Sequence, residues 1–248
     1  MNIPKNIFQT WQTKDITDGF KMLIDSWKNN NPNYEYYLYD DINCREFIYE
    51  KFGNRVGKVY DTIRAGAFKA DLWRCCILYE YGGLYADIDT ICLNPIDEFL
   101  EDNIEFMTCI AHTDISEGQN NIFNSIIASV PKHPILLDTI NRIVSNVENR
   151  YVPKNILALT GPNVMGQAVN KFLGRNEEDS LVDKEGIIDN IKLLKFRKED
   201  EYVYDIRNSE KVLFQNKNGN KLIQLLYRIE CSRFNHISWL NRGNEFND

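Results

Sequence analysis

Two aspartates one residue apart, Asp87 and Asp89, close the run Tyr81-Gly82-Gly83-Leu84-Tyr85-Ala86-Asp87-Ile88-Asp89. Alternate residues of an extended segment point to the same side, so in a regular strand these two carboxylates share a face. Carboxylates held that close repel, and each raises the other's pKa. A divalent cation relieves the repulsion, and hard oxygen ligands suit Mg²⁺ or Mn²⁺. The spacing therefore points to a metal site that grips a diphosphate. A D-x-D pair by itself is also a common solvated loop or helix cap. Two neighbours favour chemistry here. The approach to the pair is aromatic and apolar, which puts it at the edge of a core. The preceding segment carries Asp71 and Arg74, three residues apart and so near one face of a helix. Arg74 suits phosphate oxygens, and Asp71 suits sugar hydroxyls. The plain alternative is a helix-surface ion pair worth under ~1 kcal/mol.

The elements that position these residues read as an α/β chain. Residues 5–9 read as a strand, and Asp18 opens a helix to about Asn29, stopped at Asn30-Asn31-Pro32. The aromatic, alternating stretch 34–39 reads as a second strand. Asp40-Asp41 opens a helix through Phe52. This strand–helix–strand–helix order predicts a sheet with parallel members. A further helix covers about 62–79, with Phe68, Leu72, Cys76 and Tyr79 near the helical period and Gly82-Gly83 as its stop. Leu93-Asn94-Pro95 bends the chain away. A strand at 104–110 and helices at 134–147 and 163–172 follow. Residues 175–186 read as a charged loop, and 191–196, 212–214 and 222–229 as short strands or irregular pieces. The expectation is one domain over residues 1–248, with a less regular C-terminal third from about 175 packed onto it.

With 248 residues the chain can bury a sizeable core. A net charge of −7 argues against a general nucleic-acid binder. No apolar run approaches the ~18 residues needed to span a bilayer. The segment Met1-Asn2-Ile3-Pro4-Lys5 lacks a signal-peptide core, so the expectation is a soluble, cytoplasmic protein with at most peripheral contact at the inner face of a membrane. Six cysteines fit no zinc spacing, and they read as free thiols in a reducing compartment. His112 and His133 read as structural.

Taken together, the pattern D-x-x-R-x-x-x-L-x-x-x-G-G-x-Y-x-D-x-D over Asp71 to Asp89 resembles glycosyltransferase family 32, the transferases with a D-x-D sugar-binding region. Yeast-type initiating mannosyltransferases belong to it, and the large glucosylating toxins are more distantly similar. Ile3-Pro4-Lys5-Asn6-Ile7-Phe8-Gln9-Thr10-Trp11 resembles the family's opening I-P-K-x-I-H-Q-x-W, with Phe8 where the family often has His. Thr160-Gly161-Pro162 resembles its T-G-P turn. Asn235-His236-Ile237-Ser238-Trp239 resembles its closing H-x-x-x-S-W element, shortened or shifted. The resemblance is strong from Asp71 to Asp89 and thin from Gly174 to Arg233.

The resemblance implies a GT-A-type nucleotide-sugar-binding fold, with a mixed, mostly parallel central sheet flanked by helices. It implies transfer of a sugar from a UDP-sugar or GDP-mannose to a glycan or polysaccharide acceptor, with Mn²⁺ or Mg²⁺ and with retention of anomeric configuration. Asp71, Arg74, Asp87 and Asp89 would carry the reaction. Gln9, Trp11, Gly83, Thr160, Gly161 and Trp239 would line the donor site together with Asp71, Arg74 and Asp87. Asp87, Asp89, Asn235, His236 and Ser238 would surround the metal. Two rivals stand beside this reading. One is a non-catalytic nucleotide-sugar binding module. The other is a D-x-D phosphatase with Asp87 as nucleophile, disfavoured because a helix and a glycine pair, rather than a continuous apolar strand, precede the aspartates.

Overall fold

The computed structural model describes residues 2–111, 122–153, 156–182, 184–197 and 199–215. They form ten strands and six α-helices. The strands are β1 (Asn6–Thr10), β2 (Glu35–Tyr39), β3 (Gly83–Ala86), β4 (Thr90–Cys92), β5 (Phe106–Ala111), β6 (Ile126–Ser129), β7 (Gly186–Ile188), β8 (Ile191–Arg197), β9 (Tyr202–Asp205) and β10 (Glu210–Gln215). The helices are α1 (Asp18–Asn30), α2 (Asp41–Thr62), α3 (Gly66–Tyr81), α4 (Ile96–Phe99), α5 (Pro134–Glu148) and α6 (Pro162–Phe172). All ten strands join one sheet in the order β2-β1-β3-β6-β5-β8-β9-β10-β4, with β7 pairing β8.

The expected α/β architecture with a mixed sheet is present, but its parallel share is smaller than the expectation. Among the described residues, parallel pairing is confined to β1–β2, β1–β3 and β5–β8. Helices α1 and α2–α3 supply the crossovers that parallel neighbours require. Further along, short turns return the chain antiparallel, as between β8, β9 and β10. β4, β6, β7 and β9 were not foreseen, because runs of three or four residues carry too little alternation to stand out. The helix expected over 62–79 begins at Gly66, since α2 itself runs on to Thr62 across a break at Gly53 (φ 72°, ψ −173°). The strand expected at 222–229 lies outside the described residues, as do His112 and Cys231.

Alternation along the strands divides the core. Phe8, Tyr85, Phe106 and Ile127 face a cluster with α2, α3, α5 and α6. Their neighbours Ile7, Leu84, Met107 and Ile126 face Trp27 of α1 and Ile96 and Phe99 of α4 on the other side. Helix α3 sits in the middle, with nine consecutive or near-consecutive positions from Phe68 to Leu78 buried. A helix buried all round belongs to the interior. The glycine pair then turns the chain into β3. Gly82 and Gly83 have φ of 64° and 108°, and a Cβ at Gly83 would lie 2.8 Å from the Asn6 carbonyl oxygen. The stop was legible because only glycine meets both demands. Phe8 stacks on Tyr37 at 5.2 Å and is buried, an apolar wedge where the related motif often has histidine. The described cysteines are buried and free. No helix among the described residues is long and apolar enough to cross a membrane.

His133 has the structural role expected of it. It precedes Pro134, and its Nδ1 accepts a hydrogen bond from the Ile135 amide at 3.3 Å. Its ring lies between Phe106 and Phe172. Burial depresses its pKa to about 4. The unfolded chain takes up this proton near pH 6.5, well before the folded one does. Stability is therefore complete above about pH 6.5 and is lost as pH falls towards 4, by up to ~1.4 kcal/mol per pH unit for one proton. His133→Asn keeps a capping acceptor without the titration. Urea unfolding of the two proteins from pH 4 to 7 is expected to show the wild type losing stability relative to the variant on the acid side; parallel curves would contradict this.

Candidate active site

The two aspartates do not share a strand face. β3 ends at Ala86, and residues 87–90 form a turn closed by the Thr90 amide on the Asp87 carbonyl at 3.2 Å. The strand expectation fails here because the Asp87 carbonyl is claimed from several directions. The Gln9 amide donates to it at 3.1 Å and the Thr90 hydroxyl at 2.5 Å. Trp27 holds Thr90 in place through its indole N–H, at 3.2 Å from the hydroxyl. The Asp87 amide in turn donates to the Ser125 carbonyl at 2.9 Å. Ile88, between the aspartates, packs into the cluster of Trp11, Ile16, Phe20, Leu23 and Ile24. The turn is thus pinned at its middle, with both carboxylates half-buried at its corners.

Asp87 continues the Tyr85 side of the strand and so meets α3. Its Oδ1 accepts from the Tyr85 hydroxyl at 2.6 Å and lies 3.3 Å from an Arg74 guanidinium nitrogen. The same nitrogen is 3.4 Å from Asp71 Oδ1. The guanidinium also lies over the Tyr85 ring, 4.5 Å from its centroid. Its remaining nitrogens donate to the Ala70 and Asn124 carbonyls at 3.2 and 2.6 Å. The Asp71 and Arg74 side chains are 9% and 5% exposed, which rules out the surface ion pair. Burial works against the Arg74 charge, but Tyr85, Asp87 and Asp71 outweigh it, and its pKa stays above the ordinary value. Burial also raises the Asp71 pKa, against the opposing pull of Arg74, Thr160 and Asn124.

Asp71 is fully engaged. Oδ1 accepts from the Asn124 side-chain amide at 2.8 Å, and Oδ2 accepts from the Thr160 hydroxyl at 2.9 Å. A Cβ on Gly161 would sit 3.0 Å from Oδ2, so the Thr160-Gly161-Pro162 turn closes on the carboxylate. Pro162 begins α6, as its preorganised φ allows.

The structure thus brings Asp71, Arg74, Asp87, Thr160 and Gly161 together and joins Gln9 to the Asp87 backbone. Gln9 is fully buried, and its carbonyl oxygen accepts from Tyr36 at 2.7 Å. Trp11 is 5% exposed and lies edge-on to Phe20 at 5.2 Å, a core position. Gly83 is buried against β1. Asn235, His236, Ser238 and Trp239 lie outside the described residues. Tyr85 and Asn124 were not singled out from the sequence. For Tyr85 the signal was present, since it shares strand parity with Asp87. For Asn124 no local pattern marks it.

Among the described residues there is no group of three or more His, Cys, Asp or Glu side chains able to hold a metal. Two half-buried carboxylates on a pinned turn still fit Mg²⁺ or Mn²⁺. Such ions are commonly held by one or two carboxylates, with substrate phosphates completing the shell.

Residues 17–106 match the family model described as glycosyltransferase sugar-binding region containing DXD motif. Inositol phosphoceramide mannosyltransferase 2 of Schizosaccharomyces pombe is 31% identical over 161 residues, covering 64% of this chain and 44% of its own. The initiation-specific alpha-1,6-mannosyltransferase of Candida albicans is 34% identical over 106 residues, 40% of this chain and 28% of its own. The chain thus spans less than half the length of these two relatives. Among solved structures, the PaToxG glycosyltransferase is similar with a TM-score of 0.56 and 24% identity, covering 70% of this chain and 71% of the other. The UDP-bound glycosyltransferase domain of the YGT toxin is similar with a TM-score of 0.52 at 9% identity, over 93% and 89%. These likenesses show the GT-A-type fold.

Replacing Thr160 by Val leaves Asp71 Oδ2 without its donor at nearly the same volume. The loss is expected to be about 1–3 kcal/mol, read as a lower urea midpoint with an unchanged slope. An unchanged midpoint would show that Thr160 does not hold the turn to α3.

Proposed function

We propose that this chain, whose residues 17–106 match the family model for the glycosyltransferase sugar-binding region containing the DXD motif, transfers a sugar from a nucleotide diphosphate donor to a hydroxyl of a glycan or glycolipid acceptor. The observation that carries the proposal is the buried Arg74 cation, fixed between Asp71 and Asp87 at the edge of the Asp87–Thr90 turn. As the glycosidic bond breaks, its electron pair leaves with the diphosphate oxygen. The acceptor oxygen bonds to the sugar carbon, and its proton passes to the departing phosphate. Negative charge therefore grows on the diphosphate, beside the Asp87 carboxylate that Arg74 fixes in place for the ion.

Asp87 and Asp89 would hold a divalent ion, which when bound supplies charge neutralisation at the diphosphate. Asp71 and the Thr160-Gly161 turn would border the donor sugar. Tyr85 fixes the Asp87 carboxylate by its hydroxyl and Arg74 by its ring. Asn235, His236 and Ser238 belong to the same proposal as further metal contacts, and Trp239 as a donor contact, on the sequence motif alone. We read the transfer as retaining, a same-face displacement assisted by the leaving group. The named mannosyltransferase relatives support a mannosyl group as the sugar transferred.

The test is nucleotide release from a panel of UDP- and GDP-sugars with Mn²⁺. Asp89→Ala is expected to lower turnover on the order of 100-fold, and EDTA to abolish it. Turnover that survives both EDTA and the Asp89→Ala substitution would overturn the metal-site reading. No turnover of any donor would overturn the transferase.

A further inference from the structure

A second polar site lies away from the Asp87–Thr90 turn. A cleft of about 820 Å³ opens between the second half of α2 and the C-terminal end of α5. Its lining includes Arg55, Lys58 and Arg150 against Asp61 and Glu148. Both acids are already engaged. Arg55 forks onto Glu148 at 2.8 and 2.6 Å, tying the two helices together. Arg45, from the first half of α2, forks onto Asp61 at 2.7 and 2.8 Å. Lys58 and Arg150 carry no ion pair with the described residues. A chain of net charge −7 thus holds two uncommitted cations on one concave surface.

Arg150 has a second oddity. It follows the end of α5 with φ of 50°, a left-handed conformation that favours glycine. Its amide bonds the Val147 carbonyl and the next amide bonds the Asn146 carbonyl, the usual closure of a helix end. Glycine would serve this closure without strain. An arginine placed there gives up stability and gains a guanidinium at the cleft rim.

We propose that this cleft binds a phosphate group, with Lys58 and Arg150 as its direct contacts and Arg55 as its wall. The neighbouring turn of α5 links it to the active site. The Asn146 side chain donates to the Ala158 and Leu159 carbonyls at 3.3 and 2.9 Å, immediately before the Thr160 that closes on Asp71. The binding does not depend on the transferase reading.

The experiment measures thermal stabilisation by inorganic phosphate, beside co-sedimentation with phosphatidylcholine vesicles with and without phosphatidic acid. Wild type, Lys58→Ala and Arg150→Gly are compared. The expected result is saturable stabilisation of the wild type by phosphate, weakened at least 10-fold in affinity in both variants. Arg150→Gly is expected to melt no lower than the wild type without phosphate, so that its loss of binding is not a loss of fold. Sedimentation that needs phosphatidic acid and fails in both variants assigns the phosphate to a lipid headgroup. Phosphate binding without sedimentation assigns it to a soluble molecule. No stabilisation of the wild type, or equal stabilisation of all three proteins, overturns the proposal. Donor hydrolysis measured in parallel is expected to be unchanged in both variants. Its absence in the wild type would sink the transferase reading while leaving the binding result to stand.

Discussion

A single buried cation, the Arg74 guanidinium, is the constraint on which the site depends. A buried charge costs several kcal/mol to desolvate, and removing one partner of a buried pair costs about 3–5 kcal/mol. Arg74 is tolerated because every face of it is used: Asp71 and Asp87 at salt-bridge distance, the Ala70 and Asn124 carbonyls as acceptors, and the Tyr85 ring beneath. Satisfying it fixes three separate pieces of chain. Helix α3 brings Asp71, the end of β3 brings Asp87, and the stretch before β6 brings Asn124. The Thr160 turn then closes on Asp71. Two carboxylates around one guanidinium leave the cluster short of positive charge, which suits a site that also binds a cation.

The scaffold follows from the same constraint. α3 must be buried on nearly all sides for Arg74 to be buried, so its sequence is apolar round the whole helix rather than along one stripe. It must also end abruptly for β3 to start beside β1, which the glycine pair achieves. Gln9 of β1, held in turn by the Tyr36 hydroxyl of β2, then reaches across to hold the Asp87 carbonyl. The sheet and the site are therefore not separable layers: strands β1 to β3 are the mount of the aspartate turn.

Much of this was legible in the sequence where local chemistry speaks. The glycine stop, the Asp40 cap, the α3–β3 junction and the Asp71–Arg74 spacing each follow from short-range rules, and each is present. What failed was long-range. A strand reading of Asp87 and Asp89 assumes that the pleat continues, but hydrogen bonds from Gln9, 78 residues away, and from Thr90 curl the chain into a turn. Asn124 carries no local signature, because its role exists only once β6 lies beside β3. Trp11 reads from its motif as a donor-site residue until Phe20 is seen against it. The antiparallel strands β7 and β9 are likewise only three and four residues long, so their membership in the sheet is decided by partners rather than by pattern.

The central claim is that Asp89 and Asp87, backed by Arg74, hold a diphosphate through a divalent ion. Calorimetric titration of UDP and GDP into the wild type and Asp89→Asn, with Mn²⁺ and with EDTA, tests it most directly. The account predicts that at least one nucleotide binds the wild type with Mn²⁺, and that the binding is lost in EDTA and weakened by ~10-fold or more in the variant. Equal binding with and without metal, or no binding of either nucleotide, would contradict it.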